Sequence, residues 1–248
     1  DPVMQGRGLG SDGLARAVHY IAEQFREAGL QPVNGTYIQP WRQEVPDLGQ
    51  VTMANVLGMI PGSDAALSKG PVVLGAHYDH LGLNAETGEF FPGADDNASG
   101  ISVLIEVARK LARAFTPQRP ILFVAFTGEE SGLLGSDYFV NSSPGGFQVS
   151  SAFAMVNLDA VGRLDGRTLQ IFGTESAYEW QFMAQGIGFT IGVSSQFAAQ
   201  TVASSDHVSF LNAGIPAIHL FSGTHLDYHQ PTDTQYKLDL AGMGDVAL

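Results

Sequence analysis

The chain has 248 residues, the size of one large α/β domain with a substantial core. Its 44% hydrophobic and 15% charged content excludes a disordered chain, and a net charge of −13 argues against a nucleic-acid binder, which needs a basic face. With no cysteine there is neither a disulfide framework nor a thiolate metal site, and no apolar run approaches the roughly 18 residues of a membrane span.

The chain opens on Asp1-Pro2-Val3 without a start methionine or signal-peptide pattern, and reads as trimmed after export. Ser11 is placed to N-cap a helix running to Ala28, with Gly29 as its stop. Leu14, Val18, Ile21, Phe25 and Ala28 give that helix one apolar face, with His19 beside it at the surface. Strands are predicted at 37–44 and 51–60, the second ended by Pro61-Gly62.

From Val72 the rhythm alternates. Strands are expected at 72–76, 121–126, 153–158, 169–172, 189–193 and 217–221. Helices are expected at 101–115, 133–140, 177–185, 207–213 and 237–248; the last stops abruptly, as if a few residues were missing after Leu248. No internal repeat is visible. The pattern is that of a single domain, 1–248, with a mixed and largely parallel central sheet flanked by helices on both faces.

Polar residues cluster directly after the apolar strands. His77 closes 72–76 and precedes Asp79, Glu129 and Glu130 follow 121–126, and Asp159 closes 153–158. Asp95-Asp96 lies in a Gly-Ala-Asp-Asp-Asn loop, and His229 sits late in the chain. Ligands of α/β proteins bind at that edge of a parallel sheet. Two imidazoles with three carboxylates are donors suited to a pair of zinc ions, which leaves a fourth carboxylate free to act as general base. Chemistry alone does not choose between Asp95 and Asp96. Adjacent Glu129 and Glu130 point different ways in an extended segment, so one can bind metal while the other faces substrate.

The segments Gly75-Ala76-His77-Tyr78-Asp79-His80, Gly93-Ala94-Asp95-Asp96-Asn97, Gly128-Glu129-Glu130-Ser131-Gly132, Asn157-Leu158-Asp159 and Tyr228-His229-Gln230-Pro231-Thr232-Asp233 resemble the zinc aminopeptidases of peptidase family M28. They occur in that family's order, and the match runs from about Gly13 to the C-terminus. The resemblance implies a zinc-exopeptidase (phosphorylase/hydrolase-like) fold with two Zn2+ ions, held by His77, Asp96, Glu130, Asp159 and His229 with Asp96 as the bridge. It implies Glu129 as general base, Asp79 as the partner that orients His77, Tyr228 as oxyanion stabiliser, and a cis peptide at Asp96–Asn97. It further implies peptide substrates with a free N-terminus and a secreted or periplasmic location.

Some members insert a protease-associated domain ahead of the first histidine; the 39–70 stretch is too short for one, so a less roofed site is expected. Phe197, Phe221 and Tyr228 are candidate walls of an apolar substrate pocket. His80 and His225 are expected at the rim, Asp206 as an N-cap first and an outer partner of the site second, and His219 as a core residue. A metallo-carboxypeptidase, a glutaminyl-cyclase-like enzyme and a non-catalytic binding domain are the alternatives on the same scaffold.

Overall fold

The computed structural model describes residues 2–46, 48–142, 144, 149–198 and 205–248. The first helix, α1 (Asp12–Ala28), begins where the Ser11 side chain accepts the Leu14 N–H at 3.1 Å and ends at Gly29, whose φ of 90° is left-handed. Its buried face is Leu14, Ala17, Val18, Ile21, Phe25 and Ala28, while His19 is exposed as expected. A two-residue strand β1 (Gln31–Pro32) follows, and then the hairpin β2 (Ile38–Val45) and β3 (Gly49–Ile60), which pair from Ile38 opposite Val56 to Val45 opposite Gly49. This hairpin takes up most of the 39–70 stretch.

The centre of the sheet is built from apolar runs buried on both faces, as parallel strands require. These are β4 (Val72–His77), β5 (Ile121–Phe126) and β6 (Ala154–Leu158), with β9 (Ala217–Phe221) beside β6; β7 (Leu169–Phe172) and β8 (Ser195–Phe197) extend that edge. The order is β1-β3-β5-β4-β6-β9-β7-β8, with β2 also on β3. Pairing is parallel from β5 through β4 and β6 to β9, and antiparallel where β3 meets β5 and β7 meets β9. Gly75 in β4 lets the strand lie under aromatic cover: a Cβ there would meet the Phe126 ring at 2.6 Å.

Helices α1, α2 (Gly100–Ala114) and α6 (Leu240–Val246) cover one face, where Phe25, Leu104, Phe123 and Met243 share a core. Helices α3 (Leu134–Asn141) and α5 (His207–Asn212) cover the other, with Phe139 and Phe210 against Phe126 and Met155. The mixed, largely parallel sheet with helices on both faces is therefore as expected. No helix among the described residues is long and apolar enough to cross a membrane.

One stretch differs. The sequence predicts a helix at 177–185 and a strand at 189–193, but α4 runs unbroken over Glu179–Ile191 and stops at Gly192, φ 77°. The short β8 comes after it. Only Trp180 of α4 is buried, whereas Phe182, Met183, Ile187 and Phe189 are exposed, so apolar residues ring this helix and erase the periodicity that marks one. Gly188 within it serves close packing: a Cβ there would lie 2.5 Å from the Val193 carbonyl oxygen.

Candidate active site

Parallel β4, β5 and β6 deliver their polar followers to one edge. His77 is the last residue of β4, Asp159 the first after β6, and Glu129-Glu130 follow β5 after Thr127 and the left-handed Gly128. Asp96 lies in the turn leading into α2, with the Asp96–Asn97 peptide cis, and His229 sits in the loop after β9.

His77 Nε2 is 3.2 Å from Asp96 Oδ1 and 3.2 Å from Asp159 Oδ1. On the other side, His229 Nε2 is 2.8 Å from Asp96 Oδ2 and 3.4 Å from Glu130 Oε2. The two oxygens of Asp96 thus face two different histidines. Donors in a zinc tetrahedron of ~2.0 Å bonds stand ~3.3 Å apart, so both sets have a spacing a metal accepts. Asp96 Oδ2 and His229 Nε2 are buried without an aligned hydrogen-bond partner among the described residues, as atoms directed at a shared cation would be. His77, Asp96 and Asp159 form one group able to hold an ion; His80, Asp96 and Glu130 form another. Glu129 belongs to neither.

The surroundings fix these groups. Asp79 is fully buried, and its carboxylate accepts the backbone N–H of Glu129 at 3.2 Å and of Glu130 at 3.3 Å. His77 Nδ1 is 3.7 Å from that carboxylate and nearer, at 3.2 Å, to the Asp79 carbonyl. The Asp79 carboxylate therefore sets the glutamate pair, a task the sequence did not reveal, while the nearer contact of the histidine is the Asp79 backbone carbonyl. Asp159 Oδ2 accepts from Ser205 Oγ at 2.7 Å, and Ser205 in turn accepts from Asn157 Nδ2 at 2.8 Å. Asp95 is turned away: it accepts from Gly162 N at 2.6 Å and pairs with His225 at 2.9 Å. Arg7 donates to the carbonyls of Tyr78, Pro92 and Gly93, tying the His77 loop to the Asp96 loop. Arg163 is held by Asp227 at 3.1 Å and Asp233 at 3.5 Å.

Charge follows from this packing. Burial would lower the His77 pKa, but Asp159 and Glu129 outweigh it and raise it well above the usual imidazole range. His229 is raised chiefly by Asp96. Burial works to raise Asp96, yet His229 and His77 hold its carboxyl far down. Asp159 is held down by His77 in the same way, against burial. Glu129 goes the opposite direction: burial raises it well above the carboxylate range, only partly opposed by His77 and reinforced by Asp159, Asp206 and Asp79. A carboxyl with a raised pKa beside two donor sets is suited to accept and return a proton.

The remaining expectations divide. Tyr228 stacks on the His229 ring at 4.1 Å, and burial together with Asp96, Asp159 and Glu130 keeps its phenol protonated. Phe221 rings with Phe172 and His219, while Phe197 packs against the small core around Ile171 and Trp180. His219 is buried as expected and burial lowers its pKa, but it is not the satisfied core residue expected, since neither ring nitrogen has a well-formed hydrogen bond among the described residues. Asp206 is not an N-cap: its backbone is already helical (φ −52°, ψ −25°) and its side chain makes no capping bond. It is fully buried instead, and burial pushes its carboxyl up to about 7. His225 is taken up by Asp95. His80 is not at the rim; it is 2% exposed, and its Nδ1 lies 2.7 Å from Glu130 Oε1.

The profile of peptidase family M28 matches residues 55–248. Aminopeptidase YwaD of Bacillus subtilis (strain 168) is 32% identical over 176 residues, covering 66% of this chain and 36% of that protein. A probable leucine aminopeptidase of Trichophyton verrucosum is 32% identical over 211 residues, covering 78% of this chain and 54% of that protein. The chain thus spans about a third to a half of these relatives' length. Among solved structures, a Porphyromonas gingivalis glutaminyl cyclase superposes with a TM-score of 0.82 at 24% identity, covering 98% of this chain and 90% of that one. BSAP, a zinc aminopeptidase from Bacillus subtilis, does so with a TM-score of 0.78 at 18% identity, covering 99% and 89%. At such identities the structural matches establish the fold alone. The chain belongs to peptidase family M28.

Proposed function

We propose that this chain is a dizinc aminopeptidase, and the observation that carries the reading is Asp96, whose two oxygens face His77 and His229 separately. His77, Asp96 and Asp159 would hold one ion, and Asp96, Glu130 and His229 the other. When bound, the pair supplies a water of lowered pKa and a polarised carbonyl. Glu129 takes the proton of the attacking water and hands it to the leaving amine. Asp79 holds the Glu129 and Glu130 backbone so that the two carboxylates keep separate tasks. Tyr228, protonated and stacked on His229, donates to the oxygen that becomes negative in the tetrahedral state. Substrates are peptides with a free N-terminus, and the relatives named as aminopeptidases support that direction.

The test is a panel of aminoacyl nitroanilides with free and acetylated amines, run beside a peptide with N-terminal glutamine. Release from free-amine substrates alone supports the proposal. Equal rates on acetylated substrates, or cyclisation of the glutamine in place of hydrolysis, overturn it.

A further inference from the structure

Each of the two outer carboxylates has one oxygen toward a site histidine and one oxygen elsewhere. For Asp159, Oδ1 faces His77 Nε2 at 3.2 Å and Oδ2 is held by the Ser205 hydroxyl at 2.7 Å. For Glu130, Oε2 faces His229 Nε2 at 3.4 Å and Oε1 is 2.7 Å from His80 Nδ1. His80 stands to Glu130 as Ser205 stands to Asp159. We propose that His80 is a positioning residue, whose Nδ1–H pins one oxygen of Glu130 and so leaves the other as a single fixed donor to the second metal. This rests on the dizinc reading.

Three observations fix His80 in that task. Its ring is buried, so the hydrogen bond to Glu130 is not exchanged for water. Its Nε2 has no hydrogen-bond partner among the described residues, and a bare lone pair is tolerated there better than an orphaned N–H. The arrangement that fits therefore places a proton on Nδ1, facing Glu130. The backbone around the ring is also clamped: His80 N–H donates to the Arg7 carbonyl at 3.2 Å, and a Cβ on Gly93 would fall 2.5 Å from His80 Cδ2. The ring lies flush against a glycine that Arg7 holds in place. Nδ1 is 3.9 Å from Asp96 Oδ2, farther than the 2.8 Å of His229 Nε2 from the same oxygen, so His229 rather than His80 is the imidazole donor to that ion.

His80→Ala and His80→Asn separate the roles, because the asparagine amide nitrogen falls where Nδ1 was and donates to Glu130 but is a poor zinc ligand. Zinc dissociation constants are measured by chelator competition, with the melting temperature of the metal-free protein as a folding control. The wild-type chain is expected to take two zinc ions. His80→Ala should weaken one of them ~10–100-fold, the usual loss on removing an outer partner of a ligand, and His80→Asn should restore most of it. If His80→Ala does not fold, His80→Leu, which fills the site without donating a hydrogen bond, takes its place in the comparison with His80→Asn. Equal loss in both variants would make His80 a ligand and overturn the proposal, as would no loss in either. A wild-type chain that takes up fewer than two zinc ions overturns the dizinc reading, and the role of His80 with it.

Discussion

Asp233 accepts the backbone N–H of Asp96 at 3.2 Å although 137 residues separate them. The same oxygen accepts the Asp95 N–H at 2.9 Å, and the Asp233 carbonyl accepts from Ala94 at 3.3 Å. Asp233 lies four residues after His229, so the loop carrying that histidine and the loop carrying Asp96 are one mechanical unit. Arg163 balances the buried charge of Asp233 and joins it to Asp227, which Lys237 also grips at 2.6 Å.

Arg163→Met should therefore destabilise the fold by about 3 kcal/mol, the lower end for leaving a buried charge without its partner. A urea denaturation midpoint measures this, with the slope unchanged. An unaltered midpoint would show that the Asp95 and Asp96 amides alone sustain Asp233.

On the proposed roles, Glu129→Gln removes the proton acceptor but no metal donor. Activity should fall at least ~100-fold with near-normal zinc content, and excess zinc should not rescue it. Glu130→Gln replaces an anionic donor with a neutral amide, so zinc content should fall and activity should recover in part as zinc is added. Metal analysis alongside rates tells the two apart; the reverse pattern would exchange their roles.

Gly93→Ala strikes both loops at once. Gly93 has a φ of 57°, and an added Cβ would lie 2.3 Å from the Asp96 carbonyl oxygen as well as against His80. Zinc affinity should drop sharply even where the purified protein still shows a cooperative melt. Unchanged affinity would mean that the loop has room which the packing does not show.

The pH response has a defined sign. The His77 and His229 pKa values are raised in the folded, metal-free chain, so their stabilisation is full below about 6.5, the unfolded value, and is lost as pH rises through the raised values. Glu129, also raised, acts in the same direction, because its ionisation is easier in the unfolded chain. Zinc needs those histidines deprotonated and so binds better at higher pH. The melting temperature of chelated protein should fall between pH 6.5 and 8, while the increment given by zinc grows. An increment that shrinks over that range would contradict these assignments.

The sheet and α1 were legible because their signals are local. Ser11 and Gly29 bracket one apolar face, and 121–126 is a continuous apolar run that β5 matches end to end. The ligand candidates were legible for the same reason, since each directly follows such a run or sits in a distinctive loop. What stayed hidden depends on pairings across the chain. His80 meets Glu130 over 50 residues, Ser205 meets Asp159 over 46, and no local pattern announces either. Asp206 precedes a helix as an N-cap would, and only the packing around α5 shows its carboxyl buried rather than capping. α4 was misread because its exposed residues are apolar, which leaves a helix and a buried strand looking alike.

The central claim is a metal pair divided by Asp96. Anomalous scattering at the zinc edge, from crystals grown with zinc, addresses it directly. Two peaks are predicted, one beside His77 and Asp159 and one beside Glu130 and His229, with a different oxygen of Asp96 reaching each. A single peak, or a pair bridged by Asp95, would contradict the account.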